Sequence, residues 1–262
     1  MNLSLDHLVI NSHFAVEKTA DIFRGLGFTL TPRGVHSLGS LNYLIMFPGH
    51  YLELVGLPTQ GDKIRRELLE SPPGIDGLVF ASPDAAHTAR QLSQAEFSLQ
   101  PVQSFSREVV SKDARGVARF TTVRLAAGEF PAGRVYFCQH HTPEWVWRPE
   151  WLSHQNGVSA IDELTLVADE PEQQKQHFRR LGDTDERFRL TIMHRDEFAR
   201  RCGGLIQPPA GRDSLFAAIR MRGGDGERIA RDAAAMGMPV RREGERLQVA
   251  LPDLMTLLEF LP

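Results

Sequence analysis

The sequence predicts an α+β protein of repeated βαβββ-like units in two lobes, with helices outside curved mixed sheets. Residues 5–10 form an apolar run that is too short for a helix and rich in the branched residues that strands favour. Similar runs return at residues 75–80, 161–167 and 215–220. Each of the four runs is followed, within a few residues, by a stretch of helical periodicity. This order of elements indicates an internal repeat.

The first unit covers residues 1–58. In residues 14–26, Val16, Ala20 and Phe23 recur at helical spacing, which predicts a helix with one face packed on a sheet. Strands are predicted at residues 28–32, 42–47 and 51–57, with a turn at Pro48 and Gly49 between the last two.

The second unit, residues 75–143, follows a Pro-rich break. Its helix is predicted at residues 84–95 with Ser82 or Asp84 as the cap, and its strands near residues 104–110, 119–126 and 134–140. The third unit has a helix at residues 170–181 that begins with Pro171. The fourth has a helix at residues 226–236 and a last strand at residues 257–261.

These units divide the chain into a first domain at residues 1–143, a linker at residues 144–157 and a second, degenerate domain at residues 158–262. The linker carries all three tryptophans of the chain. Which of the units pair, in sequence or with the first unit exchanged for the fourth, stays open.

Composition excludes several classes of protein. The 262 residues are 42% hydrophobic and 24% charged, which is ordinary for a globular chain. A formal net charge of -3 speaks against a nucleic-acid partner, which would favour a basic surface. Two cysteines cannot form a disulfide framework, and no apolar run has the roughly 20 residues that span a bilayer. We expect a cytoplasmic protein without a membrane partner, and a homodimer is left open.

The first and last strands of the first unit each carry a residue of a type that binds metals. His7 lies in the first strand and Glu53 in the last. Side chains alternate between the faces of a strand, so an imidazole and a carboxylate can converge in the concavity of one curved sheet. The pair predicts half of a divalent metal site.

The first unit also carries a specific motif. Its residues are Gly34, His36, Gly39, Ser40 and Asn42, followed by the strand Tyr51-Leu52-Glu53-Leu54. This arrangement resembles the glyoxalase-like proteins of the vicinal oxygen chelate superfamily. The resemblance implies paired units that curl into a half-barrel, a metal held by His and Glu from opposite units, and a substrate bound through vicinal oxygens.

The resemblance places a His on the first strand and a Glu on the last strand of each paired unit. His7 and Glu53 match, whereas Gly77 stands in place of the second His and the last strand offers His140 or Cys138. We therefore predict His7, Glu53 and His140 as ligands of zinc, iron, manganese or nickel.

The other predicted site residues surround this centre. Glu53 and His36 are the candidates for proton transfer, and Asn42, Trp145 and Trp147 for substrate contact. Alternatively, His36 and Asn42 bond the backbone of a Gly-rich turn, and the tryptophans cover the core. Cys138 is expected to be a packed thiol.

In the second domain, Glu259 stands where the first unit has Glu53, but the position that corresponds to His7 is Glu163. Two carboxylates alone suit a borderline metal poorly, so we expect this pair to be structural.

Two functions follow. The first is a metal-dependent lyase, isomerase or dioxygenase acting on a small oxygen-rich metabolite. The alternative, which Gly77 suggests, is a metal-free small-molecule binding or resistance-type protein on the same fold.

Overall fold

The computed structural model describes residues 1–37, 39–60, 64–111 and 114–262. It confirms the α+β class and the two lobes of paired units. The first lobe contains β1 (Asn2–Leu3), β2 (Leu5–Asn11), α1 (Val16–Gly25), β3 (Gly34–Val35), β4 (Leu41–Phe47), β5 (His50–Gly56), α2 (Arg66–Glu70), β6 (Gly74–Ala81), α3 (Ala85–Gln94), β7 (Gln103–Val110), β8 (Arg115–Arg124) and β9 (Arg134–His140). The second contains β10 (Val158–Ala168), α4 (Pro171–Arg179), β11 (Asp183–Thr184), β12 (Arg189–His194), α5 (Arg195–Cys202), β13 (Ser214–Gly223), α6 (Gly226–Ala235), β14 (Val240–Glu243), β15 (Arg246–Leu251) and β16 (Thr256–Leu261).

The first lobe is one eight-stranded sheet in the order β3-β4-β5-β2-β6-β9-β8-β7. Its two units pair sequentially, because the first strands β2 and β6 lie side by side and antiparallel at its centre. Each first strand also pairs in parallel with the last strand of its own unit, β5 or β9. The outer strands β3 and β7 approach each other at a bridge between His36 and Arg107, so the sheet curls into an almost closed barrel.

The two faces of this sheet carry different cores. Leu8 and Leu52 face the helices and belong to a core that continues into the second lobe. Val9, Val79 and Phe120 belong to a separate cluster on the concave face. Both faces are buried, which explains why β2 and β5 read as nearly continuous apolar runs. Polar residues on the concave face are therefore enclosed in the barrel.

One predicted strand is wrong. Within the described chain, residues 28–32 run beside β4 without forming a strand. Thr31 donates its backbone N–H to Leu44, but the N–H of Leu44 returns to the Thr31 hydroxyl at 3.0 Å rather than to a backbone carbonyl. Gly27, with a φ of 86°, and Pro32 bound this irregular segment.

The second lobe is a six-stranded sheet in the order β12-β10-β13-β16-β15-β14. Its fourth unit keeps the full order, with β13 parallel to β16. In the third unit β12 takes the place beside β10, and α5 follows it directly. Phe198 and Cys202 of α5 pack into the apolar cluster on one face of this sheet. The helix therefore fills the space that forms a cavity in the first lobe.

The two lobes are connected by a strand pair and a common core as well as by the linker. β1 pairs in parallel with β11, with Asn2 opposite Asp183. The core that includes Leu8 and Phe23 of the first lobe also includes Leu164 and Phe216 of the second. We infer that the two sheets stabilise each other.

His50 contacts both lobes, since its Nε2 accepts the backbone N–H of Ile161 at 2.9 Å. Burial lowers the pKa of His50 to about 4, from an ordinary 6.5. The unfolded chain then binds a proton that the folded chain does not between pH 6.5 and 4, so stability should fall as the pH falls through this window. A change of one in pKa is worth about 1.4 kcal/mol, which gives roughly 3 kcal/mol for this residue.

We expect His50→Gln, which keeps an acceptor, to flatten this loss, as measured by urea unfolding at pH 7, 6, 5 and 4. His87→Gln on the exposed surface of α3 is the control and should leave the pH dependence unchanged. Equal slopes for wild type and His50→Gln would show that His50 does not carry the effect.

Candidate functional site

A β-bulge in β2 creates the centre of the site. Leu5 lies opposite Phe80 and His7 opposite Val79, so Asp6 is an extra residue in the ladder. The bulge places two successive polar side chains, Asp6 and His7, in contact within the barrel, where strict alternation would have separated them.

The Asp6 carboxylate determines which ring nitrogen of His7 carries a proton. It accepts a hydrogen bond from His7 Nδ1 at 2.5 Å and lies 2.9 Å from His140 Nε2. Burial acts to raise the pKa of Asp6, but the two imidazoles outweigh it and hold the pKa at about 2. An ionised carboxylate only accepts, so His7 Nδ1 carries a proton, and in the neutral form of the ring the lone pair lies on Nε2.

The free Nε2 of His7 points to two oxygens. The Tyr136 hydroxyl lies 3.3 Å away and Glu53 Oε2 lies 3.8 Å away. The His7 ring also stacks on Tyr51 with 4.4 Å between ring centroids. His7, Glu53 and Tyr136 therefore converge on one point inside the barrel.

Glu53 is held from its other side by the motif of the first unit. Asn42 Nδ2 donates to Glu53 Oε1 at 2.8 Å and to His36 Nε2 at 2.9 Å. Burial acts to raise the pKa of Glu53, but His36, His7 and the Asn42 hydrogen bond lower it below its usual 4.5. Burial lowers the pKa of His36 to about 4, so this ring is neutral at pH 7. Leu38, within the same motif, lies outside the described residues.

The register of the strands identifies the equivalent residues in the second unit. Val9 of β2 lies opposite Glu53, and Val79 of β6 lies opposite Tyr136. Tyr136 is thus the counterpart of Glu53, four residues before the predicted His140. A Cβ on Gly77, the counterpart of His7, would lie 2.7 Å from Val9 Cγ2, so packing leaves no room there for a histidine.

His140 lies on the opposite side of His7 from Glu53. It contacts Asp6, which bonds the Nδ1 edge of His7, whereas Glu53 faces the Nε2 edge. The structure therefore does not bring His7, Glu53 and His140 around one point. A different group does come together, since ligand atoms of Asp6, Cys138 and His140 lie within 4.8 Å of one another. Burial raises the pKa of the Cys138 thiol well above its usual value, as expected of a packed thiol.

The two predicted tryptophans lie outside the Glu53 side of the cavity. Trp147 packs on His140 with 4.7 Å between rings and donates its N–H to Phe47 O at 3.1 Å. Trp145 packs against Gly116 of β8, where a Cβ would lie 2.1 Å from its ring. The linker thus covers the barrel behind His140.

Three arginines, Arg65, Arg107 and Arg124, line the cavity together with His7, His36, Asn42 and Glu53. The cavity has a volume of about 30 Å³, enough for an ion with one or two waters.

The sequence alone did not predict three residues of the site, Tyr136, Asp6 and Arg107. Tyr136 was not predicted because the register between two strands cannot be read from the sequence of one of them. Asp6 had a signal, since an aspartate beside a histidine often orients the ring. Arg107 lies in a strand whose exposed and buried positions alternate, and its sequence does not show which face is enclosed.

Comparison with known proteins identifies the family of the chain. The model of the glyoxalase-like domain family matches residues 5–182. The chain belongs to this family. No curated protein sequence matches it.

Solved structures share the fold at low identity. A hypothetical protein from Staphylococcus aureus has a TM-score of 0.67 and 11% identity, with 99% of each chain covered. The 4-hydroxymandelate synthase of Streptomyces coelicolor, as a mutant, has a TM-score of 0.54 and 10% identity over 99% of this chain and 92% of its own. A xylose isomerase-like TIM barrel/4-hydroxyphenylpyruvate dioxygenase fusion protein has a TM-score of 0.57 and 12% identity; the match covers 98% of this glyoxalase-like chain but 48% of the fusion protein.

A divalent metal, which the resemblance implies, fits part of this site. Donor atoms that share a zinc ion at about 2.0 to 2.2 Å lie within roughly 4 Å of each other. His7 Nε2 and Glu53 Oε2 meet this condition at 3.8 Å. Asp6 orients His7 as carboxylates orient metal-bound histidines. In the second unit, Gly77 supplies no donor and Tyr136 supplies a hydroxyl.

In the part of the chain that the structure describes, no helix is long and apolar enough to cross a membrane.

Proposed function

We propose that this glyoxalase-like protein is a metal-dependent enzyme of the lyase, isomerase or dioxygenase type that acts on a small oxygen-rich metabolite inside the first-lobe barrel. The observation that carries the proposal is the convergence of His7 Nε2, the Glu53 carboxylate and the Tyr136 hydroxyl in one buried cavity. His7 and Glu53 would hold the metal. A bound divalent ion supplies Lewis-acid polarisation of substrate oxygens.

The residues of the chain supply the remaining functions. Glu53 is ionised at neutral pH because its pKa is low, and it is the group that accepts a proton from the substrate. Asn42 holds one carboxylate oxygen at 2.8 Å and leaves the other facing His7. The Tyr136 hydroxyl, whose pKa burial raises, stays protonated and donates a hydrogen bond to a substrate oxygen.

A metal-free binding protein is the second candidate. The Asn42 amide already occupies lone pairs of both His36 and Glu53, and Gly77 removes one potential ligand. The cavity then binds its ligand through hydrogen bonds alone.

Metal analysis of protein purified without a His tag separates the two candidates. We expect stoichiometric zinc, iron, manganese or nickel in the wild type, and a loss of roughly tenfold or more in affinity for His7→Ala and Glu53→Gln, since each removes a direct ligand. His141→Ala is the control, because this exposed neighbour of His140 bonds Thr121 outside the cavity. A folded wild type that takes up no metal on titration would support the binding protein instead.

A further inference from the structure

Arg107 is a buried cation without a carboxylate partner among the described residues. It is 5% exposed, and its Nη2 has no hydrogen-bond partner there. It lies on β7 opposite Ala118, on the strand face that lines the barrel. A buried charge is normally paired, because leaving it unpaired loses hydration without compensation.

The neighbouring arginines, unlike Arg107, each contact a carboxylate. Arg65 and Arg124 both contact Glu67, at 3.3 Å and 3.2 Å. The remaining carboxylate in the cavity, Glu53, accepts a hydrogen bond from Asn42 and attracts Arg107 through space, but it forms no salt bridge with Arg107 among the described residues. The Nη2 group of Arg107 is therefore available to an anionic group.

The position of Arg107 suits contact with a ligand. It borders both the inner cavity with Glu53 and an outer cavity of about 260 Å³ that includes Gly34 and Trp151. Gly34 allows a close approach here, because a Cβ would lie 2.2 Å from Asn42 Oδ1 and 3.4 Å from Arg107 Nη1. A ligand held by Arg107 can extend from the outer cavity towards His7 and Glu53.

We propose that Arg107 binds a carboxylate of the substrate, so that the substrate class is a small carboxylate. This inference rests on the proposed function, because it names the substrate class of the same site. A guanidinium pairs with a carboxylate through two parallel hydrogen bonds, which gives both charge and orientation.

Lactate and acetoin are the probes, since they share a hydroxyl and a size but acetoin has a methyl ketone in place of the carboxylate. By calorimetric titration we expect the wild type to bind lactate about tenfold or more tightly than acetoin, a preference set by the charged pair. Arg107→Met should abolish the preference. Arg119→Met is the matched control, because this arginine is exposed on the neighbouring strand β8, and it should keep the preference.

Folding is checked by urea unfolding of the same variants. Arg107→Met removes an unpaired buried charge and should be at least as stable as the wild type. Equal affinity of the wild type for both probes, no lactate binding, or an intact preference in Arg107→Met would overturn the inference.

The titrations are run on metal-free and metal-loaded protein. A preference that depends on Arg107 in protein that takes up no metal would refute the metal-dependent enzyme and keep the carboxylate site. Metal binding without a preference for lactate would refute the carboxylate site and keep the metal-dependent enzyme.

Discussion

Arg201→Met should destabilise the protein by about 3 to 5 kcal/mol without affecting the cavity of the first lobe, because it leaves the buried Glu259 carboxylate without its cation. Arg201 of α5 donates to Glu163 at 2.8 Å and to Glu259 at 3.1 Å. Glu259 is 0% exposed and Glu163 is buried as well. Unfolding in urea, followed by circular dichroism, measures the loss.

A compensating variant tests this explanation. Glu259 also accepts a hydrogen bond from Gln248 at 2.9 Å, and Glu163 keeps Arg220 at 2.9 Å. Adding Glu259→Gln to Arg201→Met removes the unpaired charge and should recover a large part of the stability. An Arg201→Met protein as stable as the wild type would contradict a structural role for this cluster.

The cluster connects α5 with the sheet of the second lobe. The sequence predicted that Glu163 and Glu259 are structural, from their unsuitability as a metal pair. It did not predict Arg201, which comes from a helix 58 residues before Glu259 along the chain. Contacts of this range depend on how α5 packs on its sheet, and local periodicity carries no information about that.

In the candidate site, too, the sequence did not show which residues of different strands lie side by side. The sequence predicted that His7 and Glu53 can converge on one face of the sheet, and the pairing of Glu53 with Val9, two residues after His7, agrees with this. The register between strands was not readable from the sequence, so His140 was predicted, although Tyr136 is the residue at the position equivalent to Glu53. The bulge at Asp6 breaks alternation at the residue that orients His7.

Asp6→Asn should lower metal affinity by about 10- to 100-fold, because loss of a supporting carboxylate changes how a metal-ligating histidine is held. Asp6 accepts from His7 Nδ1 and lies 2.9 Å from His140 Nε2. An asparagine has one acceptor oxygen, and its NH₂ group towards His7 Nδ1 would favour the tautomer with the proton on Nε2. That proton would occupy the lone pair that faces Glu53. Titration with Zn²⁺ and Mn²⁺ measures the loss.

Asp76→Asn is the matched control, since Asp76 has the same place in the first strand of the second unit, where Gly77 follows instead of a histidine. Asp76 pairs with Arg134 at 2.6 Å and with Ser71 at 2.9 Å. Its replacement should therefore lower stability and leave metal affinity unchanged, because it touches no residue of the His7 and Glu53 pair. If Asp6→Asn bound metal like the wild type while His7→Ala did not, His7 would hold the metal without help from Asp6, and the orientation of its ring would have to come from its stacking on Tyr51.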